Sequence, residues 1–240
     1  MPSITNHKTI TTEITSSVVY IDGVATNDDN DTITLANAGA GYDGMLLKLK
    51  TLSDVDIDDS ITVTVTNCDG CPFAGSFKMM NTGCLLQLRW DHANTTWQFE
   101  SFYHPFTDWG ASSVTTGFED DPTPSVNDEV FFSVTDNQVF VHFDINGDSQ
   151  DEDAPDDGDI MTFTVPYTSS ATFPEVSVVC LTMDNDTWET APGRIKLPQN
   201  SSTVQVFPGT DYIDGVWTKG GAGVNDKQKA VRGQFTYGVD

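Results

Sequence analysis

Apolar and polar residues alternate with a period of two along most of this chain. Residues 61–66 read Ile-Thr-Val-Thr-Val-Thr, residues 86–90 read Leu-Gln-Leu-Arg-Trp, and residues 139–143 read Val-Phe-Val-His-Phe. Successive side chains of a β-strand point to opposite faces, so this period predicts half-buried strands. Clusters of Gly, Asn, Asp and Pro, such as residues 135–138, separate the runs and are typical of turns. The pattern predicts an all-β fold of two antiparallel modules in tandem, each resembling a β-sandwich or jelly roll.

A change of composition near the middle of the chain predicts two domains. Acidic residues and prolines replace the alternating pattern there, and they favour a solvated connector. We predict an N-terminal β module over residues 1–104, a connector over 105–127 and a C-terminal β module over 128–240. Residues 1–104 carry 5 bases and 13 acids (net −8), and the remainder carries 6 bases and 23 acids (net −17). We expect the first module to dock in an assembly and the more charged second module to be displayed on a surface.

The charge balance excludes several classes of partner. The chain has 36 acidic residues against 11 basic ones, a formal net charge of −25. Nucleic acids and anionic membranes are therefore not expected as partners, because both are bound through clustered Lys and Arg. No run of residues predicts a signal peptide or a membrane span. We expect the protein to be made in a cytoplasm, and to stay there or leave inside an assembled particle.

An acid-rich segment is the candidate metal site. Asp144, Asn146 and Asp148 follow one another at every second position, and Asp151 and Asp153 could complete an oxygen shell for Ca²⁺. Eight acids between residues 144 and 159, with no base among them, would repel one another without a cation. The alternative is a solvated acidic loop without metal. Calcium is the candidate cofactor for this segment, and no cofactor is certain from the sequence.

Two cysteines lie close together in a turn. Cys68 and Cys71 have the spacing of half a zinc knuckle, and Cys84 with Cys180 or His92 would have to supply the remaining ligands. The alternatives are a disulfide between Cys68 and Cys71 or a pair of free thiols.

No constellation of residues predicts catalysis. The chain lacks a nucleophile elbow, a phosphate-binding loop and a dinucleotide-binding fingerprint, so we predict that it is not an enzyme. Trp188, Tyr212 and Trp217 lie near predicted turns, where aromatic rings could stack on the sugars of a host glycan. The alternative is that these rings pack inside a β-sandwich.

The order of strands in the first module resembles a small β module found in structural proteins of tailed phages and large DNA viruses. The segments that carry this resemblance are a leucine-rich strand, a threonine-alternating strand and a hairpin with Trp on both arms, at residues 47–50, 61–67 and 85–99. The C-terminal module, with Val-Trp-Thr at 216–218 and a last strand ending in Tyr237-Gly238, resembles tip domains of phage tail fibres.

The resemblance implies a virion protein made in the host cytoplasm: a decoration, minor capsid, spike or fibre component. Its expected partners are other capsid or tail proteins, and its expected state is a homo-oligomer, with a trimer favoured. A carbohydrate-binding or adhesion module that recognises a host glycan is the alternative function. The acid-rich segment and the pair of cysteines at 68 and 71 do not belong to the pattern that carries the resemblance.

Overall fold

The computed structural model describes residues 3–5, 18–22, 31–51, 61–80, 82–109, 114–115, 129–149, 161–184, 187–189, 191–210, 213–214 and 227–240. These residues form β-strands joined by turns, with two short 3-10 turns at Ala40–Tyr42 and Phe73–Gly75. The all-β prediction is confirmed. No helix in this part of the chain has the length and apolarity that a bilayer span requires.

The chain divides into two compact units. The first contains residues 1–107, 133–138 and 240, and the second contains residues 108–132 and 139–239. Most of the predicted connector at 105–127 lies outside the described residues. The predicted boundaries and the docking and display roles of the modules stay predictions.

The first unit contains strands of two sheets. In chain order the strands are β1 Ser3–Thr5, β2 Val18–Asp22, β3 Asp31–Leu35, β4 Leu46–Thr51, β5 Ile61–Val65, β6 Cys68–Asp69, β7 Ser76–Met79, β8 Leu85–Asp91 and β9 Thr96–Asp108. One sheet has the order β1-β2-β4-β8-β9, with β6 also paired to β9, and the other has the order β3-β5-β7. Strands β2 to β5 therefore alternate between the two sheets along the chain.

This alternation explains why some neighbouring strands are parallel. Between two strands of one sheet, the chain crosses to the other sheet, forms a strand there and crosses back. The two strands of the first sheet then run in the same direction. The pairs β2–β4 and β3–β5 are parallel for this reason. The pairs β1–β2 and β6–β9 are also parallel, but this alternation does not account for them. The pairs β4–β8, β5–β7 and β8–β9 are antiparallel. The expectation of antiparallel modules thus holds for only part of the first unit, because a period of two carries no information on strand direction.

Aromatic side chains join the two sheets of the first unit. The ring of Phe77 on β7 stacks on Phe99 of β9 at 5.9 Å and meets Phe102 edge-on at 5.1 Å. Trp90 and Trp97, which face each other across the β8–β9 hairpin, have ring centroids 5.2 Å apart. Phe77, Phe102 and both tryptophans are almost fully buried. The two sheets therefore enclose an aromatic core in a sandwich-like arrangement.

The second unit is built from antiparallel pairs. The remaining strands of the chain are β10 Val114–Thr115, β11 Glu129–Thr135, β12 Gln138–Ser149, β13 Met161–Thr164, β14 Val176–Asp184, β15 Thr187–Trp188, β16 Gly193–Leu197, β17 Thr203–Phe207, β18 Gly209–Thr210, β19 Ile213–Asp214 and β20 Lys227–Gly238. They belong to the second unit except at residues 133–138, the β11–β12 turn, which belong to the first. Strands β12, β20, β14, β16, β17, β13 and β10 follow one another in that order. Only two residues, at 136 and 137, join β11 to β12, where the sequence predicts a turn.

Strand β14 links the strands that pair with β16 to those that pair with β20. Residues 176–180 pair with β16, and residues 181–183 pair with β20. Phe143 on β12 packs against Phe163 on β13 at 5.1 Å and against Phe235 on β20 at 6.2 Å. The strands of the second unit thus fold over a shared aromatic core, and β14 continues from the β16 side of this arrangement to the β20 side.

Candidate interaction face

The outer side of β14 exposes two large aliphatic side chains. Val179 is 69% exposed and Leu181 is 61% exposed, whereas Cys180 between them is buried. Residues 176–180 of β14 pair with β16 and residues 181–183 pair with β20, and the outer side chains of Val179 and Leu181 remain open to solvent. Apolar residues exposed in the middle of a sheet are a feature of association surfaces.

Two arginines flank these aliphatic side chains, and each lies over an aromatic ring. Arg194 of β16 is the register partner of Val179, and its guanidinium lies 5.6 Å from the ring centroid of Phe207. Arg232 of β20 is the register partner of Leu181, and its guanidinium lies 5.1 Å from the ring centroid of Trp188. Trp188 is 42% exposed. We call the surface formed by Val179, Leu181, Trp188, Arg194 and Arg232 the β14 face.

Ion pairs balance charge around the β14 face. Arg232 Nε donates to Asp144 Oδ1 at 2.8 Å, and Lys196 Nζ lies 3.3 Å from Glu175 Oε2. Both pairs are partly exposed and contribute little to stability, since solvent screens them. Their effect is local: two of the acids that would repel an approaching acidic surface are already paired with bases.

The composition of the β14 face suits protein–protein association. Trp and Arg are enriched among residues that dominate binding energy at interfaces, and exposed aliphatic groups add area that loses water on contact. No group of three or more metal-ligating side chains occurs within the described ranges. The face therefore offers apolar area and stacked guanidinium groups rather than reactive groups.

One of the three predicted sugar-stacking aromatics lies on this face. One side of the Trp188 ring is covered by the Arg232 guanidinium, so that side is not open to a sugar. Tyr212 and Trp217 lie outside the described residues. The prediction that these three rings bind a glycan stays a prediction.

The predicted calcium ligands are described only in part. The backbone of Asp144–Ser149 continues strand β12, and the Asp144 carboxylate is bonded to Arg232. The side chains of Asn146 and Asp148 lie outside the described part of the structure, as do Asp151 and Asp153. Calcium binding here stays a prediction.

The paired cysteines form a disulfide. Cys68 and Cys71 are bonded, with Cα atoms 5.6 Å apart, at the turn that follows β5. Cys84 and Cys180 are buried thiols that form no disulfide. Burial raises the pKa of the Cys180 thiol to about 12, which keeps it protonated and unsuited to metal binding or nucleophilic attack. With Cys68 and Cys71 bridged, they cannot supply the thiolates of a zinc knuckle.

A buried histidine of the first unit was not predicted from the sequence. His104 is fully buried, its Nε2 accepts a hydrogen bond from the Met80 backbone N–H at 3.2 Å, and its Nδ1 lies 2.7 Å from the Pro105 carbonyl oxygen. The neutral ring with a proton on Nδ1 satisfies both contacts. Burial lowers the pKa of His104 to about 4. The hydrogen bond with the Pro105 carbonyl raises the pKa, but by less than burial lowers it. The residue is thus a structural group that is neutral at pH 7.

Most of the β14 face was also not predicted from the sequence. Residues 176–181 read Val-Ser-Val-Val-Cys-Leu, in which apolar residues occur on both faces of the strand. Such a run is equally compatible with a strand buried on both sides. The only signal for Arg194 and Arg232 is the rarity of bases in the chain. No family model matches the chain, and no curated protein is significantly similar to it.

Proposed function

We propose that this protein is a non-catalytic structural component of a virus particle, a decoration, minor capsid, spike or fibre protein, that associates with further copies of itself through the β14 face. The observation that carries the proposal is the exposure of Val179 and Leu181 on β14, which pairs with β16 through residues 176–180 and with β20 through residues 181–183. Covering solvent-exposed Val and Leu side chains with a partner favours association, by about 25 cal/mol per Å² of apolar area removed from water.

Charge supports a second copy as the occupant of this face. A chain of net charge −25 repels its own copies over most orientations. On the β14 face, Arg194 and Arg232 stand beside the apolar residues, and Asp144 is already paired. A copy that docks on this face therefore meets a part of the described surface where bases offset the nearby acids. In a trimer the β14 face of each copy contacts a different patch of the next copy, and a three-fold rotation closes the ring.

The placement in a virion is supported by the resemblance of the strand order and of the tryptophan hairpin to virion β modules. The all-β architecture with a sandwich-like first unit is compatible with it, and many unrelated proteins share such a fold. The partners proposed beyond further copies are other capsid or tail proteins.

Light scattering over a wide range of protein concentration tests the association. The expected result is a defined oligomer, with a trimer favoured, and Leu181→Glu is expected to shift the mass towards the monomer, because it places a charge at the centre of the apolar contact. Thr168→Glu is the control, because it adds the same charge at an exposed residue of the connection between β13 and β14. A wild-type protein that stays monomeric, or an oligomer that both variants retain, would contradict the proposed interface.

A further inference from the structure

A second surface, on the first unit, carries side chains suited to a ligand. Four outward-facing residues lie in one register across neighbouring strands: Tyr20 on β2, Lys50 on β4, Leu85 on β8 and Tyr103 on β9. Their neighbours along each strand are buried, so these four point to the opposite side from the core. We call them the tyrosine–lysine row. With strands about 4.8 Å apart, the row extends about 14 Å from Tyr20 to Tyr103.

A polar row lies beside it on the same side of the sheet. Lys48 and Gln87 are register partners, and Gln87 Nε2 donates to the Ser101 hydroxyl at 2.8 Å. No acidic side chain among the described residues pairs with Lys48 or Lys50. By contrast, Arg89 at the far end of the same side is paired with Glu100. Within the described part of the chain, these two lysines are cations without an acidic partner.

The geometry of the two rows fits an extended ligand that has ring faces and negative charges. A tyrosine at the surface presents a flat apolar ring with a polar hydroxyl; Tyr103 is 49% exposed, and Tyr20 is partly exposed. The apolar faces of sugar rings can stack on such rings while their hydroxyls bond to amide and hydroxyl groups like those of Gln87 and Ser101. Two neighbouring ammonium groups add the complement to carboxylates or sulfates carried by the sugar.

The overall negative charge of the protein does not prevent this contact. At physiological ionic strength, charges more than about 8 Å away are largely screened, so a bound ligand interacts mainly with Lys48 and Lys50. A single-stranded nucleic acid would also stack on tyrosines, but its recognition relies on a basic groove that follows every phosphate. Two lysines are too few for that role. The chemistry favours a glycan with spaced negative charges.

We propose that the tyrosine–lysine row and the adjacent Lys48, Gln87 and Ser101 bind an acidic oligosaccharide. Tyr20 and Tyr103 stack on sugar rings at the two ends, and Lys48 and Lys50 bind carboxylate or sulfate groups between them. The proposal does not depend on association through the β14 face, which belongs to the other unit.

Calorimetric titration of the full chain with a galacturonic acid tetramer tests the proposal. Binding is expected to weaken with added salt, and a neutral galactose tetramer is expected to bind about tenfold more weakly, because it lacks the charges that Lys48 and Lys50 recognise. Tyr103→Ala and Lys50→Gln are each expected to weaken binding about tenfold, whereas Tyr103→Phe keeps the ring and most of the affinity.

The controls are Trp188→Ala and Lys196→Gln, which remove an aromatic ring and a lysine from the second unit and should leave titration unchanged. Leu181→Glu should also leave it unchanged, so a failure of the association proposal is distinguishable from a failure here. Three results would overturn the proposal: no binding of the acidic tetramer, binding that Tyr103→Ala and Lys50→Gln retain, or tighter binding of a short oligothymidylate with the same dependence on these two residues.

Discussion

Two tryptophans of the first unit have the same burial and different hydrogen bonding. Trp90 and Trp97 are 1% and 0% exposed. Trp97 Nε1 donates to the Ala36 carbonyl oxygen at 3.0 Å, whereas Trp90 Nε1 has no acceptor within the described part of the chain. A buried hydrogen bond contributes to stability, and an acceptor that loses its donor while it stays buried destabilises the folded state, because it has lost its hydration without a replacement bond.

Replacing each tryptophan by phenylalanine is therefore expected to have unequal effects. Both Trp90→Phe and Trp97→Phe lose similar ring volume, but only Trp97→Phe leaves the Ala36 carbonyl without its donor. We expect Trp97→Phe to lower the free energy of unfolding by about 1–2 kcal/mol more than Trp90→Phe does. Chemical denaturation of the two variants measures the difference. Equal losses would show that the bond to Ala36 adds nothing.

The neutral state of His104 predicts a dependence of stability on pH. Its folded pKa of about 4 lies below the unfolded value of 6.5, so the unfolded chain binds more protons between these values. The contribution of His104 is complete above pH 6.5 and decreases as the pH falls towards 4, by about 3 kcal/mol in total.

Urea unfolding at a series of pH values measures this loss. Because carboxylates also titrate near pH 4, the quantity to compare between the wild type and each variant is the slope of the free energy of unfolding against pH. His104→Gln should flatten the dependence between pH 6.5 and 4, and His92→Gln, at a residue on an exposed turn, should not. An unchanged slope in His104→Gln would mean that the ring is already protonated in the folded protein or reaches solvent.

At the scale of the strands, the pairing of β14 with β16 depends on a close contact at Gly193. Gly193 on β16 is the register partner of Cys180, and a Cβ at Gly193 would lie 2.4 Å from Thr182 Cγ2 and 2.8 Å from the Phe207 carbonyl oxygen. Only glycine fits between these groups without displacing the backbone. This contact holds β14 and β16 in the register that places Arg194 beside Val179.

Gly193→Ala is expected to destabilise the second unit. Overpacking of this kind costs about 1–3 kcal/mol, and the strand shift that relieves it would also disturb the β14 face. Gly41→Ala is the control, because nothing lies within 4 Å of a Cβ at Gly41. Thermal unfolding of both variants provides the measurement. A Gly193→Ala protein as stable as the control would show that β14 and β16 separate easily.

The strands could be predicted where one face is buried and the other is not. In β5 the predicted alternation at 61–65 is the observed burial pattern, with Ile61, Val63 and Val65 inside. In β14 the sequence is apolar on both sides, so periodicity could not show that Val179 and Leu181 lie outside. Strand direction and sheet order depend on contacts between distant segments, and the parallel β2–β4 pair leaves no local signal in the sequence.

At the scale of the whole molecule, a net charge of −25 opposes association, and the β14 face provides a local exception. Of its residues, only Trp188 was a candidate from the sequence alone. The others are brought together by pairing between residues 179, 181, 194 and 232, which no local pattern predicts. The central claim is therefore that this face is covered when copies associate.

Covalent footprinting of solvent-exposed side chains, in dilute and in concentrated protein, tests that claim most directly. The account predicts that labelling of Val179, Leu181 and Trp188 falls as the oligomer forms, while labelling of Phe106, exposed on the first unit, is unchanged. An oligomer in which Val179, Leu181 and Trp188 remain labelled as in the dilute protein would contradict the account and place the interface elsewhere.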